Sequence, residues 1–375
     1  MLGGPYDIGR MSPGYPERLA RAREAASRGG LGALLVTPSA ELVYLTGYSP
    51  LPLERLTCLV IRPEQHPVLL VPELERPLAE DAGLGESSEI VSWDETDDPY
   101  AILAKIIGGV ERAACSERMW ARHLLRLQDA LDGTRFSPAS EVLGPIRAIK
   151  DSREIDLLKR SARYADETFA RLIQTRLETR TERQVARQLA DLLLETGNEE
   201  VAFTIVGSGP NSASPHHEPA GRELRTGDAV VMDFGGRTGG YCSDITRTVA
   251  IGKPSPKLRE VYDVVQEAQD EAFRVVAPGV SAHEVDEAAR HVIERAGLGD
   301  LFVHRTGHGI GLEEHEEPYI IQGNHEPLRP GMCFSIEPGV YIPGELGVRI
   351  EDIVVVTQEG ARRLNHAPRE LQVVR

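Results

Sequence analysis

The spacing of apolar positions along this chain changes several times, and each change predicts a different element. From Pro16 to Arg28 apolar residues recur at helical spacing; Gly32-Ala-Leu-Leu-Val-Thr37, Thr57-Cys-Leu-Val-Ile61 and Pro67-Val-Leu-Leu-Val71 are then short apolar runs of strand length. Helices are predicted over Pro72 to Ala82, with Pro77 able to delay the start, over Pro99 to Ile107 and over Ala121 to Leu131. Strands interleaved with helices predict an α/β N-terminal domain on a mixed sheet. This domain carries no dense cluster of His, Asp and Glu, so substrate framing or subunit contact is expected of it rather than chemistry. The alternation stops near Gly144-Pro145, and Lys150-Asp-Ser-Arg-Glu154 opens a long amphipathic helix with Ile155, Leu158, Ala162, Ala165, Phe169, Leu172 and Ile173 as its stripe. The predicted domains are therefore residues 1–144 and 145–375.

In the second domain, helices over Glu182 to Thr196, Lys257 to Ala277 and Ala282 to Ala296 alternate with strands over Val201 to Val206, Ala229 to Phe234, Ser243 to Ile251, Met332 to Glu337 and Val348 to Val356. The pattern predicts an α+β domain with helices covering one face of a largely antiparallel sheet. It also repeats. Leu224-Arg225-Thr226-Gly227 leads after five more residues to Asp233, and Leu328-Arg329-Pro330-Gly331 leads after five more to Glu337. Upstream, Thr181-Glu-Arg-Gln-Val185 through Gly197 lines up with Ser281-Ala-His-Glu-Val285 through Gly297, each a capped helix that ends in glycine. Such a duplicated helix-strand unit can place its halves across a pseudo-two-fold axis and bring the two acids together at the centre.

Two further acids join them. After Gly235, Gly236, Gly239 and Gly240 the chain returns through Asp244, and in the second copy Glu351 takes that place. Strand alternation puts Arg349 and Glu351 on one face and Ile350 and Asp352 on the other, which assigns Glu351 to the site and Asp352 away from it. The apolar residues around these acids predict burial, and Arg225, Arg247, Arg329 and Arg349 are available as salt-bridge partners for any one of them. For four acids plus a histidine, two divalent cations balance the charge as fully as four arginines in far less space. Such pairs sit roughly 3.5–4 Å apart and can share a hydroxide.

His308 is the expected imidazole ligand, from His304-Arg-Thr-Gly-His308-Gly-Ile-Gly311, whose glycines suit close backbone approach in an irregular segment. Gly307-x-Gly309-x-Gly311 does not open a strand-turn-helix unit, which argues against nucleotide binding. An oxygen-rich set with one imidazole and no thiolate favours Mn²⁺, Co²⁺ or Fe²⁺ over a structural Zn²⁺, with catalytic zinc left open.

Composition narrows the partners. At 375 residues, 41% hydrophobic and 27% charged, the chain is a normal globular mixture long enough for two domains. A formal net charge of −16 argues against nucleic acid or an anionic membrane as partner. Met1 to Tyr15 lacks the basic segment and apolar run of a signal peptide, and no apolar stretch approaches a membrane-spanning length, so the cytoplasm is the expected location. Cys58, Cys115, Cys242 and Cys333 lie far apart and read as buried thiols.

Asp233, Asp244, His308, Glu337 and Glu351 match, in order and spacing, the five metal ligands of the pita-bread metallopeptidases, which include Xaa-Pro aminopeptidases, prolidases and methionine aminopeptidases. The resemblance spans about Asp151 to Val356 and includes Pro215-His216-His217, the phrase from His304 through His308 and His315 to Pro318, and Glu337-Pro-Gly-Val-Tyr341 with Gly347-Val-Arg-Ile-Glu351-Asp352. The preceding domain resembles the creatinase-type N-terminal domain more weakly, and its presence points to the proline-directed branch. The resemblance implies a pita-bread fold, two divalent metal ions (Mn²⁺ foremost), a proline-containing peptide substrate cleaved before proline, and a homodimer.

It further implies Glu337 as the proton shuttle, with His216, His304 and His315 binding substrate and steadying the tetrahedral intermediate. Tyr341 and Arg349 match positions that line the site. A purely structural place stays open for His304, Tyr341 and Arg349, and His217 reads as a neighbour. One departure stands out: prolidases often carry arginine directly after the His-Glu-x-Pro phrase, where this chain has Tyr319. That puts strict dipeptide specificity in question. Two rivals share the fold: a hydrolase or lyase of a small non-peptide metabolite, and a non-catalytic peptide-binding relative.

Overall fold

The computed structural model describes residues 14–375; most of the Met1 to Tyr15 stretch read for a leader lies outside the described residues. The chain forms two compact units that part between Arg147 and Ala148.

The first unit contains helices α1 (Tyr15–Arg28), α2 (Ala40–Thr46), α3 (Arg76–Asp81), α4 (Pro99–Ile107), α5 (Ala121–Ala130) and all but the last residue of α6 (Ser140–Ala148). Its strands are β1 (Ala33–Val36), β2 (Cys58–Ile61), β3 (Val68–Pro72), β4 (Glu89–Trp93), β5 (Arg112–Cys115) and β6 (Arg135–Pro138). They form one sheet of order β4-β3-β2-β1-β5-β6, antiparallel at β1/β2 and β2/β3 and parallel at the other pairs, the mixed sheet that the interleaved pattern predicts. Strands β4, β5 and β6 escape the hydrophobic reading for physical reasons. Edge strand β6 has both ends exposed and edge strand β4 is mostly half-buried, so neither needs a continuous apolar run, and β5 buries two small alanines. Pro77 does delay α3, whose first turn follows a short 3₁₀ segment at Glu73–Glu75. Gly144-Pro145 lies within α6.

The second unit carries α7 (Ser152–Leu172), α8 (Glu182–Thr196), β7 (Glu200–Ser208), β8 (Ala229–Thr238), β9 (Tyr241–Cys242), β10 (Ile245–Ile251), α9 (Pro256–Val275) and α10 (Ala282–Arg295). The chain continues through β11 (Gly307–Gly309), β12 (Glu316–Ile320), β13 (Cys333–Ile336), β14 (Gly339–Ile342), β15 (Leu346–Arg349), β16 (Asp352–Val356), β17 (Ala361–Arg363) and β18 (Gln372–Val374).

The single predicted sheet is in fact two, of order β18-β10-β8-β7 with β9 on β8, and β12-β11-β13-β16-β17, beside a β14-β15 hairpin. The predicted strand over Val348 to Val356 breaks between them. Arg349 pairs with Gly339 in the hairpin, whereas Asp352 pairs with Ile336 in the second sheet. Between the two, Arg349 and Glu351 hydrogen-bond to Thr248 and Thr246 of β10, so this crossing stitches the two sheets together.

Each sheet has its own helical cover. Phe169 of α7, Leu189 and Leu193 of α8, and Val230, Met232, Phe234, Val249 and Ile251 of the first sheet share one core. Val265 of α9, Val285 and Ile293 of α10, and Phe334, Ile336, Val354 and Val356 of the second share another. Because strand side chains alternate, these apolar residues send Asp233, Thr246, Ser335 and Glu337 to the opposite face.

The duplication extends to the backbone. Both α8 and α10 open with a full capping box, Thr181 with Gln184 and Ser281 with Glu284. Leu224 N donates to Arg180 O and Leu328 N to Val280 O, each at 2.8 Å. Gly227 (φ 94°) and Gly331 (φ 92°) donate to Ile251 O and Val356 O, closing the two sheets in the same way.

One pair breaks the match. Before the helices, Thr179 (φ 68°) stands where the second copy has Gly279 (φ 89°), and both accept the same backbone role, donating N–H to Leu224 O and Leu328 O. A β-branched residue in the left-handed region is strained, and exposed Thr179 gains no side-chain hydrogen bond to offset it. Thr179→Gly should therefore stabilise the protein by about 0.5–1 kcal/mol, the relief exceeding the extra flexibility of an unfolded glycine. A urea midpoint that stays level or falls would show that the turn is unstrained.

Candidate active site

The polar faces of the two sheets meet around a cavity of about 730 Å³ that lies wholly within the second unit. Asp233, Asp244, His308, Glu337 and Glu351 all line it, as do His216, His304, His315 and Arg349. Asp233 comes from β8, directly opposite Thr246 of β10 and Ile205 of β7. Asp244 precedes β10, Glu337 follows β13, and Glu351 sits at the crossing between β15 and β16.

Asp244 and Glu351 are buried, Asp233 and Glu337 are largely covered, and the set is incompletely bonded. Asp233 Oδ1, Asp244 Oδ1 and Glu351 Oε1 have no hydrogen-bond partner among the described residues. Their other oxygens are held: Arg349 Nη2 donates to Asp233 Oδ2 at 2.6 Å and Thr246 Oγ1 to Glu351 Oε2 at 2.7 Å, while Asp244 Oδ2 lies 3.7 Å from His308 Nε2. Leaving a buried anionic oxygen unpaired costs several kcal/mol of solvation, so three in one cavity call for cations.

His308 lies beside these acids. Its Nδ1 lies 3.2 Å from Gly309 O, which anchors the ring, and its Nε2 lies 3.1 Å from Glu337 Oε1, where a proton joins the two in the metal-free site and a cation would take that proton's place. Ligand atoms of Asp244, His308 and Glu351 all fall within 4.8 Å of one another. The donor set of four carboxylates and one imidazole suits a pair of hard to borderline divalent ions.

Electrostatics say the same. Burial first, then the neighbouring carboxylates, push Asp244 and Glu351 well above the ordinary carboxylate range. Asp233 is raised too, by burial, against the pull of Arg349. Burial also works against ionisation of Glu337, but its hydrogen bond to His308 and the charges of His308, His304 and Arg349 hold it low. His315, whose ring centroid is 4.0 Å from that of His308, falls to about 4, chiefly through burial and then through His308.

His304 faces the cavity with both ring nitrogens engaged. Nδ1 donates to Arg305 O at 2.7 Å, and Nε2 meets the Tyr341 hydroxyl at 2.8 Å, which in turn accepts from Arg349 Nη1 at 2.8 Å. Tyr341 does not line the cavity but supports Arg349 from behind. His217 is also outside the lining and bonds to buried Glu182 at 2.8 Å. Asp352 points to the helix side, to Arg247, Arg363 and Gln269, as the alternation predicts.

Sequence reasoning passed over Thr246 and Ser335, which hold Glu351 and Glu337. Period-two spacing from Asp244 and from Glu337 was the available signal. Glycines, by contrast, behave as read: a Cβ on Gly307 would lie 1.9 Å from Ser335 O, and one on Gly309 2.3 Å from Glu317 O. The four cysteines are buried and unpaired, and burial pushes the Cys242 and Cys333 thiols upward, so neither is a ready nucleophile.

Comparison with known proteins now decides the family. Residues 156–358 match the model of metallopeptidase family M24, and residues 18–149 that of the creatinase/prolidase N-terminal domain. The chain belongs to metallopeptidase family M24. It is a peptidase with the pita-bread fold behind a creatinase-type domain, and the family implies divalent metal ions. An Xaa-Pro dipeptidase from Pyrococcus furiosus is 35% identical over 356 residues, covering 95% of this chain and 99% of the relative. The crystal structure of dipeptidase PepE from Mycobacterium ulcerans is 46% identical with a TM-score of 0.94, covering 98% of this chain and 100% of that one. A prolidase from Thermococcus sibiricus is 40% identical with a TM-score of 0.91, over 98% and 100%.

In this M24 cavity the like charges destabilise the metal-free state, and cation binding relieves them. Adding Mn²⁺ to chelator-stripped protein at ~100 times its Kd should raise stability by about 2.7 kcal/mol. Asp244→Asn should lose most of that rise, yet melt no lower than the stripped parent, because one repelling charge is gone. Thermal melts with and without Mn²⁺ check both; an undiminished rise in the variant would remove Asp244 from the ligand set.

Proposed function

We propose that this peptidase cleaves the bond between an N-terminal residue and proline, with Xaa-Pro dipeptides as its substrates. The observation that carries the reading is the set of unpaired carboxylate oxygens around His308, ringed within one cavity by His216, His304, His315 and Arg349. Relatives that span almost the whole chain and bear the names Xaa-Pro dipeptidase, dipeptidase and prolidase support the substrate class.

Asp233, Asp244, His308, Glu337 and Glu351 would hold two divalent ions, Mn²⁺ foremost. Bound there, the pair supplies a water acidified toward neutral pH and a Lewis-acid contact for the scissile carbonyl. Glu337 is ionised, braced by Ser335 Oγ at 3.1 Å, and takes up and returns the proton. His315, kept neutral by burial, and His216 donate to the substrate carbonyl and to the charge that develops on it. The chain from His304 through Tyr341 to Arg349 fixes Asp233 and closes one wall. Phe203, Ile205 and Phe302 give that cavity an apolar side suited to a prolyl ring.

Mn²⁺-loaded protein should hydrolyse an Xaa-Pro dipeptide much faster than the matching Xaa-Pro-Yaa tripeptide. The reverse preference would make it an aminopeptidase, and inertness toward both would turn attention to a small-metabolite substrate. Glu337→Gln should cut kcat by about 10²–10⁴-fold, the span of general acid-base catalysis, while the protein still folds. Near-normal kcat in that variant, with metal bound, would end the proton-shuttle role.

A further inference from the structure

Besides Asp352, two fully buried acids among the described residues, Glu182 and Asp286, take no part in the chemistry above, and one of them stands out by what it holds. Glu182, the first residue of α8, accepts from Ser208 N at 2.8 Å, Ser208 Oγ at 2.6 Å, Asn211 Nδ2 at 3.0 Å, Ala220 N at 3.1 Å and His217 Nε2 at 2.8 Å. Every one of these donors belongs to the segment that leaves β7 and loops past Pro215 and His216. A helix start needs no such network: Thr181 and Gln184 already cap α8, and the duplicate helix α10 has Ala282 at the same place. The carboxylate is wholly buried, so each donor counts toward its solvation. The other side of the loop is held separately, by Gly347 N on Ser212 Oγ at 2.7 Å. The second acid, Asp286 of α10, does comparable work on Thr306 and Arg290, before His308, but its effect is spread over several residues.

We infer that Glu182 is a positioning residue for His216: it grips the neighbouring His217 and both ends of the loop, and so sets where the His216 imidazole stands in the cavity. Neither Glu182 nor His217 lines that cavity, so any effect on turnover passes through the loop. The inference rests on the proposed role of His216 at the substrate.

A double-mutant cycle with Glu182→Gln and His216→Ala tests it. Glu182→Gln alone should lower kcat/KM on an Xaa-Pro dipeptide by about 10–100-fold, the usual loss when an orienting partner is removed, with Mn²⁺ content unchanged. In the His216→Ala background the same change should cost less than about threefold, since its target is gone. A merely structural residue would cost the same factor in both backgrounds, and that result would overturn the inference. If Glu182→Gln does not fold, His217→Leu leaves the acid four donors and enters the same cycle; His217→Gln, which keeps an N–H donor, should restore most of the loss. A crystal structure of the variant reads the placement without substrate: a displaced His216 supports the inference and an unmoved one overturns it. Failure of the parent protein to cleave any Xaa-Pro peptide would sink the functional reading instead, leaving the crystallographic arm to judge Glu182.

Discussion

The second unit is organised around one electrostatic constraint, the gathering at a single point of four carboxylates, two buried and two largely covered. In a medium that solvates charge poorly, such a cluster is stable only if cations sit among the oxygens or protons neutralise them. Among the described residues, Arg349 compensates one oxygen of Asp233, while Asp233 Oδ1, Asp244 Oδ1 and Glu351 Oε1 stay unpaired. Much of the surrounding architecture keeps these acids in place. The helices cover one face of each sheet, alternation sends the acids to the other, and glycines at 307 and 309 let strands approach where a Cβ would collide.

Duplication supplies the acids in pairs, and divergence between the copies assigns them different work. Both halves keep the capping box, the Leu-Arg-x-Gly turn and the closing backbone bonds. Only the second carries His308 in the cage, and Glu337, rather than Asp233, faces that imidazole. The first half instead holds the loop with His216 and ties Asp233 to Arg349. The buried acids that brace the loops follow the same asymmetry: Glu182 at the first turn of α8, Asp286 one turn later in α10, with alanine at each corresponding place, Ala282 and Ala186.

Much of this was legible in the order of residues. Helical stripes and capping signals located α7, α8, α9 and α10, because a helix that buries one face must repeat its apolar residues at 3.6. The same logic at period two separated Glu351 from Asp352. It fell short where a residue's environment owes nothing to its own sequence. Strands β4 and β6 are edges with half-buried or exposed positions, and β5 is two small alanines between Arg112 and Cys115, so none shows a long apolar run. The run Val348 to Val356 is continuous in hydrophobicity, yet its halves belong to different sheets, a division set by partners more than a hundred residues away in β10.

The sequence by itself determined which atoms can do chemistry here: the five side chains proposed as ligands, the histidines near them, and the alternation that turns each acid away from the helices. Those are local properties, written in residue type and period. Tertiary structure decided which nitrogens and oxygens remain free. His304 is spent on Arg305 O and Tyr341, Tyr341 stands behind Arg349, and Thr246 and Ser335 brace the acids. Hydrogen-bond capacity is finite, and whether an imidazole spends it on the protein or keeps it for a substrate depends on neighbours that only folding brings within 3 Å.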